Sequence, residues 1–493
     1  MFFLFENIFN IYKKYEGCSG EIILFLTIVF NFISFFFLKK ENKARFISVT
    51  SIIGLIIAIC TLPKNFQYDE LLYFNQMYMI NKNNSIVKIL ILIGVIFAHL
   101  SIVFMPSKNN GINKLTNFEL PLLINFSSLG VLFAISSNNF LILYLSLELQ
   151  ALPSYILTAL KRDSDYSLEG GVKYFVLGVF ASSIFLYGIS LIYISTGTIA
   201  YEGIADLLMK RSTELSPMLM IGIIFIMFGL LFKLAAAPLH NWIADVYQSA
   251  HGTILTFFSS VPKIGATYVI YVLYHFVFVG KYFQYNTQLI RIFVFFSLLI
   301  GAIGAIKQTN FKRLIAYSAI ANSGFLLLNV LGDLSYSFTA FIVYSFSYMI
   351  ASYGLISFAM YYWNEDPNLD KKNYMIQDLS GLAKEKPWLS GSVAILLLSI
   401  AGIPPFVGFF GKLYILMASV SALHLILTFT ALMASVISLI YYLGVIKVLY
   451  FNDRTISEMK EINLCRYGFL TMFYAICSIV TVYFFNYLTN LLM

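Results

Sequence analysis

Residues 217–272 read PMLMIGIIFIMFGLLFKLAAAPLHNWIADVYQSAHGTILTFFSSVPKIGATYVIYV. Two apolar runs flank a short polar link, and each run reaches the length of about 20 residues that an α-helix needs to cross a bilayer. Each also carries a lysine in its interior, Lys233 and Lys263. Pro238 interrupts the first run, and Pro262 stands directly before Lys263, where a proline frees a backbone carbonyl one turn earlier. Spanning helices with built-in charges and interruptions describe a polytopic membrane protein with a polar interior.

The pattern extends along the whole chain. Apolar runs lie near 20–38, 46–62, 85–105, 119–136, 139–161, 170–195, 217–238, 252–279, 289–306, 313–331, 336–363, 390–417, 421–450 and 466–491. Backbone groups must be paired within the segment in lipid, so these predict an all-α fold of about fourteen transmembrane helices. Composition agrees: 59% of the 493 residues are hydrophobic and 11% charged, with a mean hydropathy of +0.81. The longest polar links, 63–84, 196–216 and 364–389, leave no room for a soluble domain, so 1–493 reads as one membrane domain. No Ala-x-Ala cleavage site follows the first run, which is therefore expected to be a retained helix.

The net charge of +8 is a topology signal. Basic residues crowd onto alternate links, among them Lys39, Lys40, Lys43 and Arg45, then Lys307, Lys312 and Arg313, then Lys384 and Lys386. Such links face the cytoplasm, which puts both termini on the opposite, periplasmic side. Nothing here points to nucleic acid. Cys18, Cys60, Cys465 and Cys477 form no Cys-x-x-Cys pair, which argues against an iron–sulfur cluster, a zinc site and a disulfide framework. Phosphate loops, dinucleotide fingerprints and nucleophilic triads are absent from the sequence.

Four charges lie deep in predicted spans: Lys233, Lys263, Lys412, and Glu148 in LILYLSLELQALPSYIL. A charge at the bilayer centre costs about 2.5–3.5 kcal/mol on insertion scales, so such residues face a protein interior and default to function. Burial weakens an amine's hold on its proton and a neighbouring carboxylate strengthens it. A lysine whose partner moves therefore switches between holding and releasing a proton. A static ion pair is the plain alternative, but three lysines share a single carboxylate. Around Lys263, the residues Thr256, Ser259, Ser260 and Thr267 recur at helical spacing on one face. That seam either carries a proton relay or bonds back to its own helix. Pro404 and Pro405 interrupt the run SIAGIPPFVGFFGKLYIL seven residues before Lys412. Broken helices at matched positions, here the seventh and twelfth, are a mark of transporters built from inverted repeats. His240 and Asp245 in the intervening link are candidates for gating a half-channel, and His251 for a further proton-accessible group or a solvated helix end. His99, His275 and His424 lack metal-ligand spacing and read as residues that pack or sit at interfaces.

The segments LYLSLELQALPSYIL, EGGVKYFVLGVFASSIFLYG, FKLAAAPLHNWIADVYQ running into TFFSSVPKIG, KQTNFKRLIAYSAIANSGFLL and LLSIAGIPPFVGFFGKLYIL resemble one family over roughly residues 115–450. It is that of the N-type antiporter-like subunits of proton-pumping NADH:quinone oxidoreductase (complex I), with NADH dehydrogenase subunit 2 as mitochondrial counterpart. The resemblance implies two inverted five-helix repeats, helices 4–8 in 119–279 and helices 9–13 in 289–450. Three helices in 1–118 and one in 466–493 would flank them. It implies that Glu148 pairs with Lys233, that Lys263 is a central relay, and that Lys412 connects to the outer surface. It implies coupling of quinone reduction elsewhere in the complex to proton pumping, with no cofactor in this subunit and no redox centre. The expected neighbours are an antiporter-like M-type subunit and the small K and J types, in the bacterial inner membrane or the mitochondrial one. One departure stands out: QSAHGTILTFF, with His251 and Gly252, replaces the family's usual Pro-x-Pro approach to the eighth helix. Paralogous L- and M-type subunits, multisubunit cation/proton antiporters and membrane-bound hydrogenases are the related alternatives. The M type carries a carboxylate where Lys412 stands. A passive scaffold is the alternative of a different class.

Overall fold

The structure is a computed structural model that describes residues 16–37, 43–68, 70–105, 118–161, 164–210, 216–280, 282–363, 374–453 and 465–483. Its helices are α1 (Ser19–Phe37), α2 (Lys43–Thr61), α3 (Lys82–Val103), α4 (Glu119–Ile135), α5 (Phe140–Thr158), α6 (Asp165–Thr196), α7 (Tyr201–Lys210), α8 (Pro217–Lys233) and α9 (Asn241–Ser249). There follow α10 (Gly252–Val272), α11 (Tyr282–Ile306), α12 (Phe311–Val330), α13 (Leu334–Tyr362), α14 (Leu382–Glu385), α15 (Pro387–Ala401), α16 (Val407–Ser421), α17 (Leu425–Phe451) and α18 (Cys465–Tyr483). Among the described residues, 11 helices are long and apolar enough to cross a membrane, and α4, α8, α15 and α16 are shorter apolar helices.

Local sequence sets the helix starts. Asn81, Asn139 and Asn310 each sit in extended backbone before a helix and accept a hydrogen bond from an orphan N–H of its first turn. The structure adds three features to the sequence reading. The interruption expected in 390–417 separates two helices, with Gly402 at φ +85° ending α15 and the chain restarting at Val407. The links hold the short amphipathic helices α7 and α9. Link 63–84 contains an antiparallel hairpin, β1 (Leu71–Tyr73) paired with β2 (Tyr78–Ile80), with Leu71 opposite Ile80. The ends of the first and last expected spans, at 38 and 484–491, and Lys39 and Lys40 lie outside the described residues.

Burial sorts the helices into layers. In the most apolar stretches of α10 with its π-turn extension, α12 and α13, 94%, 89% and 94% of residues are buried, against 28% in α1 and 33% in α17. The outer helices show Phe25, Phe36, Phe180, Ile426 and Ile440 to the lipid side. Two tight crossings need glycine. A Cβ at Gly130 would stand 2.5 Å from the Gln150 nitrogen on α5, and one at Gly301 would stand 2.4 Å from the Ala321 nitrogen on α12. Small residues let backbones approach where lipid supplies no hydrophobic driving force. The polar residues are thereby collected in the centre, around α10, α12 and α13.

Candidate proton-translocation site

The interior is built around two helix breaks and one unbroken helix. At the first break, α8 ends at Lys233 and Ala235 takes a left-handed conformation at φ 56°. The Lys233 ammonium leaves its own helix and donates to the Leu147 carbonyl of α5 at 3.2 Å. Glu148 is the next residue, so its carboxylate and Lys233 face one another electrostatically without forming a direct ion pair. The Glu148 Oε1 atom is buried and has no hydrogen-bond partner among the described residues. The carbonyl at the break, Leu234, accepts the Ser323 hydroxyl of α12 at 2.9 Å.

On α10, Lys263 is 3% exposed and donates to the Ala319 carbonyl of α12 at 3.2 Å. The Ser323 hydroxyl lies 2.9 Å from that same carbonyl, so one side chain touches both the break after Lys233 and the acceptor of Lys263. Pro262 leaves the Phe258 carbonyl without a helical partner, and the Tyr247 hydroxyl of α9 takes it at 3.4 Å. The Tyr247 ring also lies under the Lys263 ammonium, 5.9 Å from its centroid. The hydroxyl seam works in both of the ways open to it. Thr256, Ser259 and Thr267 bond back to the carbonyls of Thr253, Thr256 and Lys263. Ser260 donates to Tyr353 of α13 at 2.7 Å, Ser259 lies 3.4 Å from the Ser352 hydroxyl, and Thr256 lies 3.3 Å from the Ser101 hydroxyl of α3.

At the second break, Lys412 on α16 reaches back and donates to the Ala401 carbonyl at 2.9 Å. That is the last carbonyl of α15, one of the orphans at a helix C-terminus, where the macrodipole favours a cation. The ammonium lies 4.9 Å from the Phe325 ring centroid. Neither Lys263 nor Lys412 has an ion-pair partner among the described residues.

Between these lysines lies a polar group that sequence reasoning missed. Tyr344 of α13 donates to Asn322 at 2.6 Å, the Asn322 amide donates to Ser318 at 3.3 Å, and Ser318 bonds Tyr442 of α17. Tyr348 sits within electrostatic reach of Tyr247, Tyr344 and Tyr442, and its buried hydroxyl has no hydrogen-bond partner among the described residues. The available signal was the density of Tyr and Ser in TAFIVYSFSYMIASYG, too many for a helix that faces lipid.

The link residues have definite places. His251 caps α10, its Nδ1 accepting the Thr253 amide at 3.3 Å, which is the helix-end position. Asp245 is held by Lys173 and Arg313, each at 3.2 Å, in a partly exposed chain that also includes Glu169. His240 Nδ1 lies 3.2 Å from the Pro238 carbonyl beside the first break. His99 does more than pack: its Nε2 meets Asn125 at 2.8 Å, and Asn125 continues to Ser51 at 2.7 Å.

A family model described as NADH:quinone oxidoreductase/Mrp antiporter, transmembrane, matches residues 137–438. NADH-quinone oxidoreductase subunit N of Bartonella bacilliformis is 38% identical over 85% of this chain and 86% of its own length. The protein of the same name from Rhodospirillum rubrum is 33% identical over 85% and 84%. The chain belongs to the NADH-quinone oxidoreductase subunit N family. Its fold is also that of a chain in respiratory complex I from Thermus thermophilus with bound aureothin, with a TM-score of 0.76, 23% identity and coverage of 94% and 97%. A chain of the Mrp complex from Dietzia has the same fold at a TM-score of 0.77, 17% identity and coverage of 95% and 94%. The family match encloses Glu148, Lys233, Lys263 and Lys412, both helix breaks, and Asn322, Tyr344 and Tyr348, while Tyr442 lies just beyond it. The hairpin and α1 to α4 lie before it.

Proposed function

We propose that this chain is a proton-translocating membrane-arm subunit of a respiratory NADH:quinone oxidoreductase, coupling quinone reduction to proton movement through buried Glu and Lys residues. The observation that carries this reading is that Lys233, Lys263 and Lys412 point inward and rest on carbonyl oxygens, with Glu148 in reach of the first alone. An amine held by a neutral carbonyl can lose its proton without leaving a buried carboxylate stranded, whereas a tight ion pair resists discharge until its carboxylate is protonated. A proton taken by Lys233 passes toward Lys263, on through the Asn322, Tyr344 and Tyr348 region, and to Lys412. A shift of Glu148 relative to Lys233 starts the cycle.

The finer assignments belong to the same proposal. The 11 spans, with α4, α8 and the α15–α16 pair, make about fourteen membrane crossings arranged as two inverted repeats. The basic links face the cytoplasm and both termini lie outside. The subunit holds no cofactor, so hydride and electron chemistry and the bound quinone belong to other subunits of the enzyme. It assembles with other membrane-arm subunits, an M type and the small K and J types. His240 and Asp245 gate entry, and the seam on α10 relays.

Lys233→Ala and Glu148→Ala in the assembled complex test this. Fewer protons pumped per electron are expected, and a normal ratio in both would instead support a passive scaffold. The Mrp antiporter fold carries the second reading, cation/proton exchange, which predicts sodium-dependent exchange in vesicles.

A further inference from the structure

A second buried acid–base pair lies outside the family-matched region. Glu21, in the first turn of α1, and Lys88, in the second turn of α3, are 2% and 0% exposed, with Nζ 2.6 Å from Oε1. Tyr78 on β2 donates its hydroxyl to the same oxygen at 2.6 Å, and the Lys88 ammonium lies 3.0 Å from that hydroxyl. Both donors thus converge on Oε1. The other carboxylate oxygen, Oε2, is buried and has no hydrogen-bond partner among the described residues. The Cys18 thiol lies within electrostatic reach of both members of the pair.

The hairpin roofs this cluster and is fixed in place. Met79 donates to the Ser136 carbonyl at 2.8 Å, Asn138 donates to the Met77 carbonyl at 3.0 Å, and the Asn65 amide ties the Gly17 carbonyl at 3.0 Å. A direct tie runs to the proton-handling core. Tyr268, five residues after Lys263 on α10, donates to Asn84 at 2.6 Å, and Asn84 lies one turn before Lys88 on the same face of α3.

A strut made only for stability fits this geometry poorly. Buried ion pairs repay their desolvation only when every lone pair is satisfied, and apolar residues of similar volume serve as well or better. Here one carboxylate oxygen is left open inside the protein, on a pair linked to the helix of Lys263. We infer that Glu21 and Lys88 form a further proton-transfer site, at the end of the bundle covered by the hairpin. This rests on the proposed function, whose topology puts that end on the outer side.

The step balances as follows. A proton arriving from the interior binds Glu21 Oε2, and the carboxylate becomes a neutral acid. The Lys88 ammonium, buried and without its counter-charge, releases one proton past Tyr78 toward the hairpin side. The proton on Glu21 then moves to the neutral Lys88 amine and restores the ion pair. One proton enters, one leaves, and the Tyr78 hydroxyl keeps its own proton at the end.

The test uses the assembled complex in membrane vesicles, comparing protons pumped per NADH oxidised for Glu21→Gln, for the double variant Glu21→Leu with Lys88→Met, and for Lys263→Met as reference. Glu21→Gln keeps the acceptor for Lys88 and Tyr78 but cannot take up a proton. The inference expects both cluster variants to lose pumped protons while electron transfer continues in fully assembled complex. The double variant removes both charges together, so a static strut predicts that it assembles and pumps normally. That result overturns the inference, as does a normal ratio in Glu21→Gln. Where Glu21→Gln fails to assemble, the double variant alone decides. Should Lys263→Met lower the ratio while the cluster variants do not, the site falls and the broader function stands; should Lys263→Met also pump normally, the broader reading falls first.

Discussion

The break after Lys233 and the break before Lys412 both set an amine beside an interrupted helix, and they do so by opposite means. At the second break the charge itself caps the helix: Lys412 holds the last carbonyl of α15. At the first break a neutral hydroxyl does the capping, Ser323 on Leu234, and Lys233 is free to reach across to Leu147 beside Glu148. One lysine belongs to its own break and is favoured by a helix end. The other belongs to a neighbouring helix and answers to a carboxylate. A neighbouring charge can therefore modulate proton affinity at the first break, whereas fixed dipoles act at the second.

The comparison can be broken most severely at Gly408. A Cβ there would lie 1.8 Å from the Ser399 carbonyl, backbone against helix start. Gly408→Ala should cost at the upper end of the roughly 1–3 kcal/mol typical of overpacking. Subunit retention on native gels and thermal melting of the complex would read it, and unchanged melting would show that the second break is looser than described. Next comes the electrostatic contrast. Lys233→Met and Glu148→Gln should show a coupling of about 0.5–3 kcal/mol in a double-mutant cycle on pumping rates, while Lys412→Met and Glu148→Gln should be additive. Equal coupling in both cycles would erase the distinction.

Backbone conformation offers a smaller, two-signed test. Gly402→Ala forces a Cβ into a left-handed position and to 2.8 Å from Lys412 Cδ, so a loss of about 1–2 kcal/mol is expected. Ala235→Gly removes a Cβ from the left-handed region at the first break and should be neutral or mildly stabilising. Opposite shifts in melting temperature are the check. Smallest is Ser323→Ala, which takes away a hydroxyl cap worth about 1 kcal/mol. It should slow proton transfer if Ser323 links the two lysines and leave it alone if the hydroxyl is only a cap.

Much of this interior was legible in the sequence because lipid makes misplaced polarity conspicuous. Lys233, Lys263, Lys412 and Glu148 stand out as charges in the middle of apolar runs, and prolines flagged both breaks. Glu21 and Lys88 did not stand out, since each lies within two turns of a helix start, where charges ordinarily reach water. What buries them is the hairpin, a tertiary feature formed by a link that reads as polar loop. Tyr344, Tyr348 and Asn322 were equally quiet, because a tyrosine in a span reads as an ordinary amphipathic residue until the helix proves to be central. Pro404 and Pro405 announced the break between α15 and α16, but the residue at which α15 stops depends on a left-handed Gly402 that residue type permits but does not require.

Ser323 owns a single hydroxyl hydrogen and faces two oxygens, 2.9 Å to each. It can satisfy one fully only by slighting the other. When it turns to Leu234, Ala319 keeps only its own helix's N–H and the lysine of α10; when it turns to Ala319, the end of α8 loses its cap. The cap at the first break and the acceptor of Lys263 thus share one hydrogen, and whatever fixes its direction at one end sets the bonding of the other.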